Sequence, residues 1–349
     1  MTNTRRGTAL LVAAALIGTV LTGCSAPESS ALKIALLLPE SRTARYEAFD
    51  RPFFEERIHE LGDYTVLYSN ADQDAAKQQS QAEAALASGV AVLVLDPVDS
   101  AAAVSIVVAA NAQGVPVIAY DRYIEGGELA YFISFDNERI GALQAEALVG
   151  ELRARGLRGG ILMVNGSPTD SNSREFKEGA EAVLRASEFP ILAEFDTPDW
   201  SPNQAQDWVA GQITEHVNDL VGVYAANDGT AGGAVAALKA ANVDPLPVVT
   251  GQDAELAAIQ RIVSGDQYMT VYKDVRSEAN LAAEIAVKLA TGQRVVGDMT
   301  RDGTPTTLLD VQVVSADSVL HTVVADGIYT PAQICTAEYA RACKVYGIL

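Results

Sequence analysis

The feature that most constrains this chain is a repeated alternation of short, unbroken apolar runs with longer helical segments. Residues 34–38, 90–95 and 117–120 are apolar throughout. Runs so short and continuous suit strands buried on both faces, the condition inside a parallel sheet. Between them, residues 44–59, 74–88 and 100–113 read as helices, with Asp72 or Asp74 capping the second. Further strands at 64–69 and 130–135 complete a strand–helix order that predicts a doubly wound parallel sheet. Asp136 then reads as the cap of a helix over 137–155, and the pattern restarts. Strands at 160–164, 191–195, 221–225, 247–250 and 268–272 alternate with helices over 171–186, 203–220, 229–240, 255–264 and 275–291. This second series is too long to join one sheet, and no long linker separates the two. The expectation is an α/β protein of two similar lobes with a cleft between them. Aromatics at 6% and abundant alanine fit helices packed on sheets better than an all-β barrel.

Arg5 and Arg6 precede an apolar run over 8–22, too short to cross a bilayer as a stop-transfer helix. It ends in Leu21-Thr22-Gly23-Cys24, and small residues closing on a cysteine resemble a bacterial lipobox in which Cys24 carries the lipid. An ordinary signal peptide with an incidental cysteine is the alternative. Residues 1–23 thus read as a leader, 24–31 as a tether, and the remainder as a body held by lipid outside the cytoplasmic membrane. The formal charge is −20, and −22 once Arg5 and Arg6 are removed. Such an acidic balance argues against a nucleic-acid partner and against docking on anionic lipid. Cys335 and Cys343 can pair outside the cell, two free thiols being the alternative. No histidine stands near them in sequence; neither a metal site nor a cofactor is expected.

In doubly wound sheets, ligands bind beyond the carboxyl ends of the strands. Those positions here are Pro39-Glu40 with Arg42 and Arg45, Asp96-Pro97, Asp121-Arg122, Asn165-Gly166-Ser167 with Asp170 and Asn172, Asn227-Asp228, Gln252-Asp253 and Tyr272-Lys273. Planar amide, carboxylate and guanidinium groups can each bridge two neighbouring hydroxyls. Trp200 adds a flat apolar face of the kind that packs on the C–H face of a sugar. The set suits a small polyhydroxy ligand. Taken singly, Asp136 reads as a helix cap and Asp96-Pro97 as a turn.

At these residues the chain resembles the type I periplasmic sugar-binding proteins of ABC transporters, and most of all their D-xylose-binding branch. The stretches that carry the resemblance are Ala119-Tyr120-Asp121-Arg122, Ser134-Phe135-Asp136-Asn137, Asn165-Gly166-Ser167-Pro168-Thr169-Asp170-Ser171-Asn172, Ala226-Asn227-Asp228-Gly229-Thr230-Ala231-Gly232-Gly233, Gly251-Gln252-Asp253-Ala254 and Thr270-Val271-Tyr272-Lys273. The resemblance implies roles at matching positions. Arg122 would donate a forked pair of bonds to the sugar, Asp253 would accept from two hydroxyls, and Asn227 would use its amide oxygen and nitrogen together. Lys273 would reach in from the hinge side, Trp200 would stack on the ring, and Asn172 with Asp170 would close from the Gly-Ser-Pro loop. Arg45 and Tyr46 would contribute from the first lobe. The family often carries tryptophan beside that arginine, so Tyr46 alters the first-lobe stacking face.

The resemblance further implies two doubly wound parallel-sheet lobes joined by a three-strand hinge, with crossings near 134–137, 272–275 and 304–309. The lobes would be 31–135 plus 274–305 and 136–273 plus 306–349. The implied function is extracytoplasmic capture of a monosaccharide, D-xylose first, by a monomer that delivers it to an ABC permease. Glucose, galactose or ribose, or a sensor that presents its closed form to a signalling receptor, are the alternatives. An enzyme is disfavoured: G-x-S-x-G, G-x-x-x-x-G-K-[ST] and H-E-x-x-H motifs are missing from the sequence. A sugar-responsive transcription regulator would carry a DNA-binding segment where the lipobox-like run stands.

Overall fold

The computed structural model describes residues 31–349. The leader, Cys24 and nearly all of the tether lie outside the described residues. Within them no helix is long and apolar enough to cross a membrane.

The first series folds as expected. Strands β1 (Leu32–Leu38), β2 (Tyr64–Asn70), β3 (Val92–Leu95), β4 (Val117–Tyr120) and β5 (Tyr131–Phe135) alternate with helices α1 (Arg51–Leu61), α2 (Ala75–Ala87) and α3 (Val104–Asn111). The side chains of β1 show why. Ile34, Leu36 and Leu38 join one apolar cluster with Phe54 and Ile58 of α1. Ala35 and Leu37 join another with Ala82, Leu86, Ile106 and Val107 of α2 and α3. Period-two alternation thus feeds both faces of the sheet, and each large aliphatic buried contributes roughly 1.5–3 kcal/mol.

The second series gives α4 (Asn137–Ala154), β6 (Gly160–Asn165), α5 (Ser171–Leu184), β7 (Ile191–Asp196), α6 (Pro202–His216), β8 (Leu220–Ala225), α7 (Asp228–Ala240), β9 (Val248–Val249), α8 (Leu256–Ser264), β10 (Met269–Lys273) and α9 (Val275–Ala290). Asp74 and Asp136 cap α2 and α4 by accepting from Lys77 N and Arg139 N. Strands β11 (Met299–Arg301), β12 (Thr304–Leu309) and β13 (Val311–Ser315) follow, then short helices α10 (Pro331–Ile334) and α11 (Ala340–Val345).

Two lobes result. One sheet has the order β11-β12-β5-β4-β3-β1-β2; the other has β7-β6-β8-β9, with β10 and β13 pairing antiparallel beside it. All pairs within the main sheets are parallel except β11–β12. Helix α9 follows the strands of the second lobe but packs Ala279, Ala282, Ala283 and Ala286 against the first sheet. The chain therefore returns between lobes, and small alanines let the helix lie close.

Three sequence expectations change. Residues 44–59 are not one helix: a π-helical turn, Tyr46–Asp50, precedes α1. The hinge crossing expected near 304–309 is strand β12, whereas β11 and β13 are additional strands, short or part-exposed and without a continuous apolar run. The expected lobe boundary at 305/306 also moves: Thr306 to Leu309 pair with Phe132 to Phe135, so the first sheet keeps them and the chain crosses at Asp310. Cys335 and Cys343 are joined as a disulfide with Cα atoms 5.9 Å apart, within the usual range.

Candidate functional site

Carboxyl ends of strands from both sheets meet across the seam. The cavity there is lined by Thr43, Arg45, Tyr46, Asp121, Arg122, Asp170, Asn172, Phe176, Trp200, Asn227, Gln252, Asp253 and Lys273. All nine binding residues named from the sequence are among them. Thr43, Asp121, Phe176 and Gln252 complete the lining. Asp121 and Gln252 stand in the quoted strand-end pairs. Phe176 lies one helical turn after Asn172 on α5, so helix periodicity alone points it the same way.

The first-lobe wall is a buried ionic lattice. Arg45, 2% exposed, holds Asp50 through Nη2–Oδ1 at 2.6 Å and Nε–Oδ2 at 3.0 Å. The same guanidinium meets Glu278 at 2.6 Å and Asp121 at 3.4 Å. Tyr46 donates its hydroxyl to Asp121 Oδ2 at 3.0 Å. Arg45 and Tyr46 therefore orient Asp121 as well as lining the cavity. Burial would push the Asp121 carboxyl up, but Arg45, Lys273 and Arg122 outweigh it and hold the group below its ordinary value. Burial dominates at Glu278 and Asp96, whose carboxyls are raised well above the usual range.

Arg122 is committed on every side. Nη1 donates to Pro97 O at 3.0 Å and Nη2 to Tyr46 Oη at 3.3 Å. Nε lies 2.8 Å from Asp170 of the second lobe and 3.5 Å from Asp96. Asp96, read from the sequence as a turn residue, is instead a fully buried carboxylate beside this arginine. Its oxygens have no hydrogen-bond partner, so burial favours the neutral carboxyl while Arg122 beside it opposes that shift.

The second-lobe wall is set by helix caps and tight loops. Asp170 caps α5 through Asn172 N and accepts from Trp200 Nε1 at 2.9 Å. A Cβ on Gly166 would stand 2.0 Å from Trp200 Cη2, so glycine is what lets the indole lie on that loop. Asn172 reaches back across the seam and donates to Asp121 O at 3.1 Å. Lys273 pairs with Asp253 at 2.8 Å and lies over the Phe135 ring at 5.5 Å. Asn227 differs from expectation: its Oδ1 accepts from Thr230 N and Thr230 Oγ1, both at 2.9 Å, in the capping box of α7. That leaves Nδ2 as the amide group free of hydrogen bonds among the described residues. Asp121, Trp200 and Asp253 have φ of 58°, 53° and 96°, left-handed backbone that costs on the order of 1–3 kcal/mol per residue and concentrates at functional sites.

The cavity measures about 20 Å³, the room of about one water molecule. The lobes are shut on one another. Besides Arg122–Asp170, the seam is crossed by Ser100 N to Thr169 O at 3.0 Å and Tyr123 N to Ser171 Oγ at 2.8 Å. Cations and carboxylates of the two walls neutralise each other there. Such a surface offers donors and acceptors in fixed directions to a neutral, hydroxyl-rich molecule. Among the described residues no group of His, Cys, Asp or Glu is placed to hold a metal ion.

Behind Asp253 lies a second carboxyl pair. Asp228 is fully buried and accepts from Gln267 Nε2 at 2.8 Å, Thr270 Oγ1 at 2.9 Å and Glu255 N at 2.9 Å. Burial pushes Asp228 up to about 7 and Glu255 to about 8, and the charge of Asp253 adds to both. An unfolded carboxyl titrates near about 4, so the folded form binds these protons more tightly. Their stabilisation is complete below about pH 4 and is lost as pH rises through 7 to 8. The melting temperature is therefore expected to fall between pH 6 and pH 9, and Glu255→Gln to flatten that slope. An unchanged slope in the variant would contradict the assignment.

Two doubly wound lobes shut on a polar seam at their strand ends define a class, that of the type I solute-binding proteins. The periplasmic binding protein domain family matches residues 34–294. The chain is 34% identical over 317 residues to the D-xylose-binding periplasmic protein of Escherichia coli K12, covering 88% of this chain and 94% of that one. It is 32% identical to the multiple sugar-binding periplasmic protein SbpA of Azospirillum brasilense, covering 77% and 82%. Among solved structures, a carbohydrate transporter solute-binding protein from Chloroflexus aurantiacus in complex with D-glucose is similar at a TM-score of 0.79, with 30% identity over 86% of this chain and 98% of that one. The chain belongs to the type I periplasmic sugar-binding proteins, on the branch that holds the D-xylose-binding proteins.

Proposed function

We propose that this chain is a lipid-anchored, extracytoplasmic solute-binding protein that captures one monosaccharide, D-xylose first, between its lobes and delivers it to an ABC permease. The observation that carries the reading is the convergence of Arg122, Asp170, Trp200, Asp253 and Lys273 on one buried seam. Sugar enters while the lobes stand apart, and its hydroxyls replace the Arg122–Asp170 and Lys273–Asp253 pairs with hydrogen bonds of the same polarity. The lobes then rotate shut about the connections at 135–137, 273–275 and 309–311. An analogue missing one hydroxyl leaves a buried group unpaired, at a cost of about 1–3 kcal/mol. An anionic sugar would add unbalanced charge to walls whose three lining cations, Arg45, Arg122 and Lys273, are already matched by Asp121, Asp170 and Asp253. Binding without chemical change of the ligand agrees with the transport-type relatives. Relatives named for xylose favour that sugar, while glucose-bound neighbours keep hexoses as the alternative. Presentation of the closed form to a signalling receptor has some support in a 29% identity to the multiple sugar-binding periplasmic receptor ChvE of Rhizobium radiobacter.

A thermal-shift panel of monosaccharides tests the reading. D-Xylose at about 100 times its Kd is expected to stabilise the chain by about 2.7 kcal/mol, with a change in indole fluorescence as Trp200 exchanges Asp170 for sugar. No shift with any common pentose or hexose would end the proposal.

A further inference from the structure

The segment after β13 is not an idle tail. Val319, Val323, Ile328, Tyr329, Ile334, Cys343 and Ile348 form one apolar cluster with Ile259, Ile262 and Val263 of α8. The disulfide ties α11 to the end of α10, and Gln260 of α8 donates to Gln333 O at 3.1 Å. Thr330 and Gln333 close a capping box at the start of α10, immediately after Tyr329. Tyr329 is thus held from both sides, and the residue is 7% exposed.

Part of what it touches belongs to the other lobe. The Phe49 ring meets it edge-on with centroids 5.6 Å apart. Phe49 sits in the π-helical turn that begins with Tyr46, and it is backed by Phe53 at 6.0 Å. Leu256, three residues beyond Asp253, packs against the same apolar cluster as Tyr329. Beside it, Ala44 N donates across the seam to Glu255 Oε1 at 3.3 Å. One side chain therefore bridges the turn that carries Arg45 and Tyr46 and the loop that carries Asp253.

We propose that Tyr329 is a positioning residue for the closed site, and that the disulfide-closed C-terminal segment is the latch that holds it against Phe49. This rests on the reading that the lobes close on a sugar. When they part, the Phe49–Tyr329 contact is an apolar one given up at this edge of the seam. Its strength biases the resting balance between open and closed forms, and any ligand that binds across the seam inherits that bias.

The test uses the full chain in five variants: Tyr329→Ala, Tyr329→Phe, Phe49→Ala, Tyr329→Ala with Phe49→Ala, and Cys335→Ser with Cys343→Ser. Calorimetry with D-xylose gives affinity, and small-angle scattering without sugar gives the closed fraction. Tyr329→Ala and Phe49→Ala are each expected to weaken affinity about three- to tenfold and to expand the sugar-free particle. The double variant should be no worse than either single, because the two rings act as one contact. Tyr329→Phe should restore affinity to within about threefold, and the double serine variant should shift both readouts in the direction of Tyr329→Ala. A lower melting temperature with unchanged affinity and unchanged scattering would reduce the segment to a structural prop and overturn the proposal, as would additive losses in the double variant. If the wild-type chain binds no monosaccharide, the function fails while the scattering comparison still decides the latch.

Discussion

Arg122→Ala is expected to abolish sugar binding and to lower stability by about 3–5 kcal/mol. The size follows from what the guanidinium leaves behind. Asp170 at 2.8 Å and Asp96 at 3.5 Å are both buried, and removing the cation from buried carboxylates costs that much because they cannot return to water. Arg122→Lys is not expected to rescue, since an ammonium cannot serve Pro97 O, Tyr46 Oη and Asp170 from one planar fork. The stability deficit should shrink as pH is lowered and the two carboxyls take up protons; burial already raises both. Calorimetry and urea unfolding at two pH values check this. Wild-type affinity in Arg122→Ala would remove this arginine from the site.

A comparably large effect on folding is expected at Gly141 and Gly179. Helices α4 and α5 cross so closely that a Cβ on Gly141 would lie 1.9 Å from Phe176 O, and one on Gly179 would lie 1.9 Å from Glu138 O. Helix propensity alone makes Gly→Ala stabilising by roughly 0.5–1 kcal/mol. Here the sign reverses, because the obstacle is backbone and cannot rotate away. Either alanine is expected to destabilise by about 3 kcal/mol or more, the upper end of overpacking costs. Sugar affinity should fall with it, since α5 carries Asn172 and Phe176 into the cavity. A variant as stable to urea as the wild type would mean that the helices separate without penalty.

Much of this was legible in the sequence, and the reason is local. An apolar run such as Val92 to Leu95 reports burial on both faces whatever packs against it. Asp74 and Asp136 announce caps through their own side chains. A rule about strand ends then collects the binding candidates, which is why Arg122, Asp170, Trp200, Asp253 and Lys273 could be named together. Elements without a strong period escaped: β11 and β13 are short or part-exposed, so nothing in their pattern separates strand from loop.

Partner choice was decided only in three dimensions. Arg45 pairs with Glu278 across 233 positions and with Asp121 across 76, and no local pattern encodes such a match. Asp96 reads as a turn residue until the fold encloses it beside Arg122. Asn227 reads as an amide that offers both its oxygen and its nitrogen until α7 claims the oxygen for a cap and leaves Nδ2. The sequence by itself determined the elements, their buried faces and the rim at which polar side chains gather, because periodicity and turn chemistry act over a few residues. The tertiary structure decided which charges neutralise which, where the chain crosses between lobes and what Tyr329 touches, because those depend on distances in space between segments far apart along the chain.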